Sequence, residues 1–196
     1  MEFKELVNNR RSIRNLKKSD LNWQEIEDIV RLAQNVPSAF NMQAVRLVLA
    51  KDKTHEDIWD ITLNKLLPLT EVNRQGVTKE KIAGFKKGQA TLLIYLDRSV
   101  VKDLEEKFPL YADKFSDYAQ QEVGMFQYVL WLGLVEKGLA ASLQHYNPLI
   151  DNEMAQLLST PDTWQLVAQM PIGIANETPS PRTLKKLEEI LLAKKE

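Results

Sequence analysis

The feature that most constrains the fold is a long helical segment, Asp113–Gly138, whose second half reads MFQYVLWLGLV. This half is apolar on nearly all sides, whereas a helix with one face in water normally carries polar residues on that face. We therefore expect the segment to be buried in a core or against a partner. Gly138 is expected to end the helix in the left-handed conformation common at helix C-termini.

The rest of the chain alternates between helical apolar spacing and short apolar or β-branched runs. The predicted helices are Glu2–Asn8, a helix from Asp20 or Asn22 to Asn35, His55–Leu67, Thr78–Lys87, Ser99–Phe108 and Leu149–Leu158. The predicted strands are Val45–Ala50, Ala90–Leu96, Ala140–His145 and Trp164–Ile172. A Pro-rich turn and a basic amphipathic helix are predicted after Thr178. This interleaving, with more helix than strand, favours an α+β or mixed α/β fold in which helices cover a sheet.

Composition limits the domain count and the classes of function. A chain of 196 residues without a repeat or a Gly/Ser linker is expected to form one domain, residues 1–196. The net charge of -1 argues against general binding to nucleic acid or to an anionic membrane. The absence of Cys excludes disulfides, thiolate metal sites and cysteine nucleophiles. The sequence shows neither a signal peptide nor an apolar run of about 20 residues, so we expect a cytoplasmic protein.

A basic segment near the N-terminus, Arg10-Arg11-Ser12-Ile13-Arg14, is the first candidate for ligand binding. In an extended chain, Arg10, Ser12 and Arg14 would share a face at intervals of roughly 6.6 Å. Two guanidiniums that flank a hydroxyl suit a phosphate, which arginine can bind through two hydrogen bonds. The alternative is a solvated basic turn, which would be preferred for this segment taken alone.

A polar loop, Pro37–Gln43, separates a predicted helix from a predicted strand and reads PSAFNMQ. Ser38, Asn41 and Gln43 supply donors and acceptors for the edge of a heterocycle, and loops on rigid elements often carry binding groups. The alternative is an ordinary helix-to-strand connection in which Asn and Ser serve the turn.

A third segment, Gly138–Pro148, reads GLAASLQHYNP. Its small residues would let a strand pass close to a flat ligand, and polar side chains follow at the end of the strand. Because neighbouring strand residues face opposite ways, only one of Gln144 and His145 should point its side chain at such a ligand. The alternative is a close-packed strand that ends in an Asn-Pro turn.

The chain carries three motifs in order: RRSIR, then P-S-x-x-N-x-Q before a strand, then an apolar helix followed by SLQHYNP. With this combination and order, it resembles the nitroreductase family from about Val7 to Met170. It looks closest to a small branch of about this length that carries the string LQHYNP. The resemblance implies a nitroreductase-like α+β fold with a central mixed or antiparallel sheet covered by helices. It also implies an intertwined homodimer with FMN bound at the interface.

The resemblance assigns the expected FMN contacts to four places in the chain. The phosphate and ribityl chain would be bound by Arg10, Arg11, Ser12 and Arg14. The flavin ring near its reactive N5 would be lined by Leu143, Gln144 and His145, of which Gln144 and His145 are the candidate catalytic residues. The other subunit would contribute Ser38, Ala39, Asn41 and Gln43. By family pattern a basic residue near the C-terminus also meets the phosphate, and Arg182 is the best match, with Lys185 behind it.

The implied activity is that of an FMN oxidoreductase in which NADH or NADPH delivers a hydride to N5. A nitroaromatic, a quinone or a similar small oxidant would then replace the nicotinamide, in ping-pong order. Two alternatives stay open, namely a flavin-binding or flavin-modifying protein without ordinary reductase activity and a non-enzymatic helical scaffold. A hydrolase based on Ser142, His145 and Asp151 is disfavoured because no G-x-S-x-G motif is present.

A metal site is also disfavoured by the histidine count. His55 and His145 are the only histidines and lie far apart in sequence, so they offer no ligand pair at metal-binding spacing. We interpret His55 as a polar residue at the start of a helix.

Overall fold

The computed structural model describes residues 1–20 and 22–192. The helices are α1 (Phe3–Asn9), α2 (Trp23–Ala33), α3 (Asp52–Leu66), α4 (Gln75–Lys86), α5 (Arg98–Lys107), α6 (Phe115–Glu136) and α7 (Asp151–Leu158). The strands are β1 (Leu16–Lys17), β2 (Val45–Lys51), β3 (Ala90–Asp97), β4 (Ala140–Ala141) and β5 (Trp164–Ala175). Over this part of the chain, no helix has the length and apolar character needed to cross a membrane.

The strands pair antiparallel in the order β1-β5-β3-β2, and β4 also pairs with β5. Strand β3 is buried along its whole length because helices cover both faces of the sheet. On one face, Leu92, Ile94 and Leu96 pack in a core with residues of α2 and α6. On the other, Leu93 and Tyr95 pack in a second core with residues of α3, α4 and α7. The predicted α+β architecture with a helix-covered sheet is therefore confirmed.

Helix α6 is covered largely by its own chain. Phe126, Leu130 and Leu134 belong to the core shared with α2. Gly133 allows close packing of the two helices, since a Cβ at this position would lie 2.7 Å from Cγ2 of Ile29. The exposed positions on the helix include Gln120, Gln121, Gly124, Met125 and Tyr128. Intramolecular packing thus explains most of the apolar character, and a narrow mixed face stays exposed.

The strand predicted over Ala140–His145 is shorter than expected. Regular pairing with β5 covers only Ala140 and Ala141 and resumes as a single bridge between Gln144 and Gln169. In this register Pro171 stands opposite Ser142. Proline has no N–H to donate, so the ladder is interrupted at that point.

The prediction of a basic amphipathic helix after Thr178 was wrong for the described residues. This tail has only a short 3₁₀ turn, Leu187–Glu189, and residues 193–196 lie outside the described part. The apolar side chains of Leu184, Ile190 and Leu191 are exposed, so no core packs against them. A short helix without such packing is only marginally stable in water.

His55 is not the polar helix-start residue that the sequence suggested, since its side chain is almost fully buried. Its Nε2 lies 3.1 Å from the carbonyl oxygen of Lys86, and its Nδ1 lies 2.8 Å from the Thr91 hydroxyl. Because a carbonyl only accepts, Nε2 carries the proton and Nδ1 accepts from Thr91. Trp59 donates to the same hydroxyl at 2.9 Å. Burial lowers the pKa of His55, in keeping with a neutral ring.

Candidate functional site

Three guanidiniums, those of Arg10, Arg11 and Arg182, gather near the end of α1. Burial lowers the pKa of Arg10, and the positive charges of Arg182 and Arg11 lower it further. Within residues 1–20 and 22–192, none of the three forms an ion pair with a carboxylate. Like charges gathered without a counterion favour an anionic ligand, and arginine is well suited to phosphate.

Neighbouring groups hold this arginine cluster in place. The guanidinium of Arg10 lies over the Trp131 ring, 4.5 Å from its centroid, in a cation–π contact. Arg182 donates to the carbonyl oxygens of Asn8, at 3.1 Å, and of Arg10. These carbonyls lie at the end of α1, where a helix leaves acceptors without internal partners. The sequence identified Arg10 and Arg182 but carried no signal for Trp131.

The stretch that follows β5 ties the basic segment down. The Glu177 carboxylate accepts from the backbone N–H groups of Arg14, at 2.5 Å, and of Asn15, at 3.2 Å. Arg11 donates to the carbonyl oxygen of Ser180. Glu177 was not identified from the sequence, because its partners lie more than 160 positions earlier and no local pattern links them.

The basic segment lies directly beside the segment that follows α6. Ser12 forms a parallel bridge with Ala141, and the N–H of Ile13 donates to the Ala141 carbonyl at 3.0 Å. The structure therefore brings together two of the three segments that the sequence singled out.

Beyond this bridge the chain presents an open backbone edge. Gln144 exchanges two backbone hydrogen bonds with Gln169 of β5, at 2.8 and 2.9 Å. Because alternate strand residues direct their backbone groups to opposite edges, Leu143 and His145 direct theirs away from β5. In the described part of the chain, neither of these two N–H groups has an acceptor. A ligand at this edge would find two free donors.

Gln144 and His145 face opposite ways, as strand geometry predicts. The Gln144 side chain is buried and donates to the Ser142 hydroxyl at 3.0 Å. His145 is exposed on the other side. Of the two candidate catalytic side chains, only His145 is therefore accessible to a ligand.

Arg14 lies beside α4, where it meets a second cation that the sequence did not reveal. Lys81 Nζ lies 5.5 Å from the centroid of the Tyr146 ring. Burial lowers the pKa of Lys81, and the charge of Arg14 lowers it further. Both residues line an open cavity of about 570 Å³, whose wall also includes Glu80 and Glu177.

The loop between α2 and β2 lies at a different part of α6. Its Phe40 ring packs on Phe115, with 5.2 Å between centroids, whereas Arg10 packs on Trp131 sixteen residues later, about 24 Å along the helix. At the loop's end, the Ala44 N–H donates to the Glu122 carboxylate at 3.2 Å, still nine residues or about 14 Å before Trp131. Within one chain, the basic segment therefore lies far from the loop residues Ser38, Ala39, Asn41 and Gln43.

The same loop holds an uncommon backbone conformation. Phe40, Asn41 and Gln43 have φ of 54°, 54° and 46°, in the left-handed region that favours glycine. The Ser38 hydroxyl accepts from the Gln43 N–H at 3.3 Å and helps to hold this shape. Strained backbone of this kind is concentrated at binding and catalytic sites.

These features define a class: an α+β protein with a helix-covered antiparallel sheet and an arginine cluster beside an open strand edge. The model of the Nitroreductase family matches residues 7–174, and the chain belongs to that family. It is accordingly an oxidoreductase of the nitroreductase type.

Individual relatives support this assignment. Nitroreductase FRM2 of Saccharomyces cerevisiae is 28% identical over 181 residues, which cover 90% of each chain. The putative nitroreductase HBN1 of the same yeast is 27% identical over 81% of this chain and 79% of its own length. Nitroreductase CinD from Lactococcus lactis, solved in complex with chloramphenicol, superposes with a TM-score of 0.88 at 31% identity, covering 99% of this chain and 100% of CinD.

Proposed function

We propose that the protein is an FMN-dependent oxidoreductase that uses NADH or NADPH to reduce nitroaromatics, quinones or similar small oxidants. The observation that carries the proposal is the cluster of Arg10, Arg11 and Arg182, which lacks a carboxylate partner among the described residues and adjoins an open strand edge. A phosphate group suits the cluster, and a flat ring suits the edge.

Each part of the flavin has its own set of residues in this proposal. The phosphate and ribityl chain contact Arg10, Arg11, Ser12 and Arg14, with Arg182 alongside. The free N–H groups of Leu143 and His145 meet the ring, and Gln144 anchors their segment to β5. A bound flavin supplies the hydride chemistry, so the protein has to provide position and hydrogen bonds. We propose FMN rather than FAD as the cofactor because the chain has no G-x-G-x-x-G dinucleotide motif.

His145 is the side chain expected to act on the electronic state of the ring. A neutral His145 donates a hydrogen bond, and a protonated one adds positive charge, so it would stabilise negative charge on a bound ring. Lys81 adds a second cation beside Arg14, as the lowered pKa of Lys81 indicates. The nicotinamide and the oxidant then use the same site in turn, in ping-pong order.

We also propose a homodimer, because within one chain the loop between α2 and β2 lies away from the basic segment. Phe40 and Ala44 contact α6 about 24 and 14 Å before Trp131, where Arg10 lies. A second subunit would supply Ser38, Ala39, Asn41 and Gln43 to the site. The exposed face of α6 offers a contact surface, and Gly124 in its middle would allow the close approach of another helix.

Similarity to solved relatives suggests the class of oxidant. CinD was solved in complex with chloramphenicol and also with 4-nitrophenol. We therefore place nitroaromatics among the substrates. We also propose that the protein works in the cytoplasm, with which its lack of Cys is compatible.

The test begins with the purified protein. Heat should release FMN, identified by chromatography, and anaerobic NADH or NADPH should bleach the flavin before 4-nitrophenol or a quinone restores its absorbance. Recovery of FAD, or of no flavin, would contradict the cofactor assignment. Flavin that neither nicotinamide reduces would instead indicate a flavin-binding or flavin-modifying protein.

A further inference from the structure

Glu122 is a buried acidic residue that the proposed chemistry does not use. It lies on α6, is 3% exposed and forms no ion pair in the described part of the chain. Arg46, at the start of β2, pairs with Asp97 instead, at 3.2 Å. A buried carboxylate is costly unless strong hydrogen bonds compensate for the lost water. A side chain of this kind therefore points to a role beyond packing.

The hydrogen bond of Glu122 fixes the end of the loop between α2 and β2. Its carboxylate accepts from the backbone N–H of Ala44 at 3.2 Å, and a charged acceptor makes this bond stronger than a neutral one would. The carbonyl of Ala44 accepts from the N–H of Asp97 at 2.9 Å and so extends the pairing between β2 and β3. Ala44 is thus held on one side by the sheet and on the other by α6.

The residues just before Ala44 have a backbone conformation that needs such an anchor. Phe40, Asn41 and Gln43 have positive φ, which costs free energy in residues other than glycine. Conformations of this kind persist only where the surroundings hold them in place. Glu122 supplies an anchor from outside the loop, one residue after Gln43.

We propose that Glu122 is a positioning residue, which holds this loop in the shape that the flavin site of the second subunit requires. The inference rests on the proposed function, in which residues of the loop reach a flavin bound to the other subunit. Without the anchor, only a fraction of the molecules would hold the loop in the binding shape, and the affinity for FMN would fall by that fraction. Glu122 acts through Ala44 and does not itself contact the flavin.

Two substitutions separate the hydrogen bond from the packing of the side chain. Glu122→Met fills a similar space but removes the acceptor, and it should weaken FMN binding to the apoprotein by about tenfold. Glu122→Gln keeps a carbonyl oxygen that can accept from Ala44, so its affinity should stay within about threefold of the wild type. Glu136→Met, which removes an exposed carboxylate from the same helix, serves as the control and should bind FMN normally. Fluorescence titration with FMN measures all four dissociation constants.

A mixed dimer tests whether Glu122 acts on the site of the second subunit or on its own. Glu122→Met impairs the loop and Arg14→Ala impairs the basic segment, so each homodimer should bind FMN weakly. In a dimer with one subunit of each kind, the intact loop of the Arg14→Ala subunit meets the intact basic segment of the Glu122→Met subunit. One site per dimer should therefore regain wild-type affinity. Co-expression with two different affinity tags allows this dimer to be purified.

Two results would overturn the inference and leave the proposed function intact. The first is a Glu122→Met protein that binds FMN as tightly as the wild type. The second is a mixed dimer that regains no tight site, because Glu122 would then act within its own subunit, through general stability or through the contact of Arg10 with Trp131 on the same helix. A wild type that binds no FMN would instead overturn the proposed function. If Glu122→Met does not fold, Glu122→Ala removes the same acceptor and takes its place in both experiments.

Discussion

Replacing Thr91 with valine tests the buried polar group that joins β3 to α3 and α4. The Thr91 hydroxyl donates to Nδ1 of His55 at 2.8 Å and accepts from the Trp59 indole N–H at 2.9 Å. Valine keeps the shape of threonine and suits a strand, but it leaves the ring nitrogen and the indole N–H without partners. At about 1–3 kcal/mol for each orphaned buried group, the free energy of unfolding should fall by about 2–6 kcal/mol.

Thr62→Val provides a matched control for this substitution. Thr62 is also fully buried, but its hydroxyl donates only to the Ile58 carbonyl one turn earlier in α3, at 2.7 Å. Its removal orphans no donor, and the carbonyl keeps its place in the helix, so we expect a loss of less than about 1.5 kcal/mol.

Urea unfolding monitored by tryptophan fluorescence measures both variants. Protein and flavin concentrations are held constant, because a bound ligand or subunit adds to the apparent stability. The m-value should stay unchanged while the midpoint shifts. If Thr91→Val costs no more than Thr62→Val, the hydroxyl does not organise this group and the reasoning is refuted.

Acidity, flavin retention and subunit association give three further tests. Because the pKa of His55 is lowered in the folded protein, the unfolded chain binds a proton more readily at this residue. The contribution of His55 to stability is therefore complete above about pH 6.5 and is lost as the pH falls below that value. In urea unfolding at pH 7.5 and 5.5, His55→Gln should flatten this pH dependence. Arg14→Ala should weaken FMN binding by roughly 1.5–3 kcal/mol in a fluorescence titration. Arg31→Ala, at an exposed arginine already paired with Glu27 and Asp28, should leave the affinity unchanged. Equal affinities of the two variants would reject the phosphate assignment. Gly124→Arg should dissociate the dimer in sedimentation velocity, while Gly76→Arg, at an equally open position on α4, should leave it intact. A stable Gly124→Arg dimer would show that this face of α6 is not part of the interface.

Elements with a strong local pattern were predictable from the sequence. The predicted strands Val45–Ala50 and Ala90–Leu96 differ from β2 and β3 by a single residue at one end. Elements that depend on distant partners were not. Strand β1 has only two residues, and its partners in β5 lie more than 150 positions away. The tail pattern predicted a helix, but in the described residues no core packs against its apolar side chains.

The candidate site divides in the same way. Arg10, Ser12 and Arg14 could be identified because their residue types and spacing suit a phosphate. Lys81 and Glu177 could not, because each acquires its role only when the fold places it beside the basic segment. His55 was misread for the same reason, since the hydroxyl that its buried ring contacts belongs to Thr91, a residue 36 positions later.

The open edge at Leu143–His145 shows how two distant segments can form one site. Antiparallel pairing with β5 uses the backbone groups of Gln144 and therefore directs those of its two neighbours to the opposite side. On that side, among the described residues, the basic segment pairs with this stretch at Ala141, through the N–H of Ile13. Together with the hydrogen bonds from Arg14 and Asn15 to Glu177, this contact sets the position of the basic segment relative to the free N–H groups, about 130 residues apart in sequence. Because this pairing stops at Ala141, the N–H groups of Leu143 and His145 keep no backbone partner among the described residues and are available to a ligand.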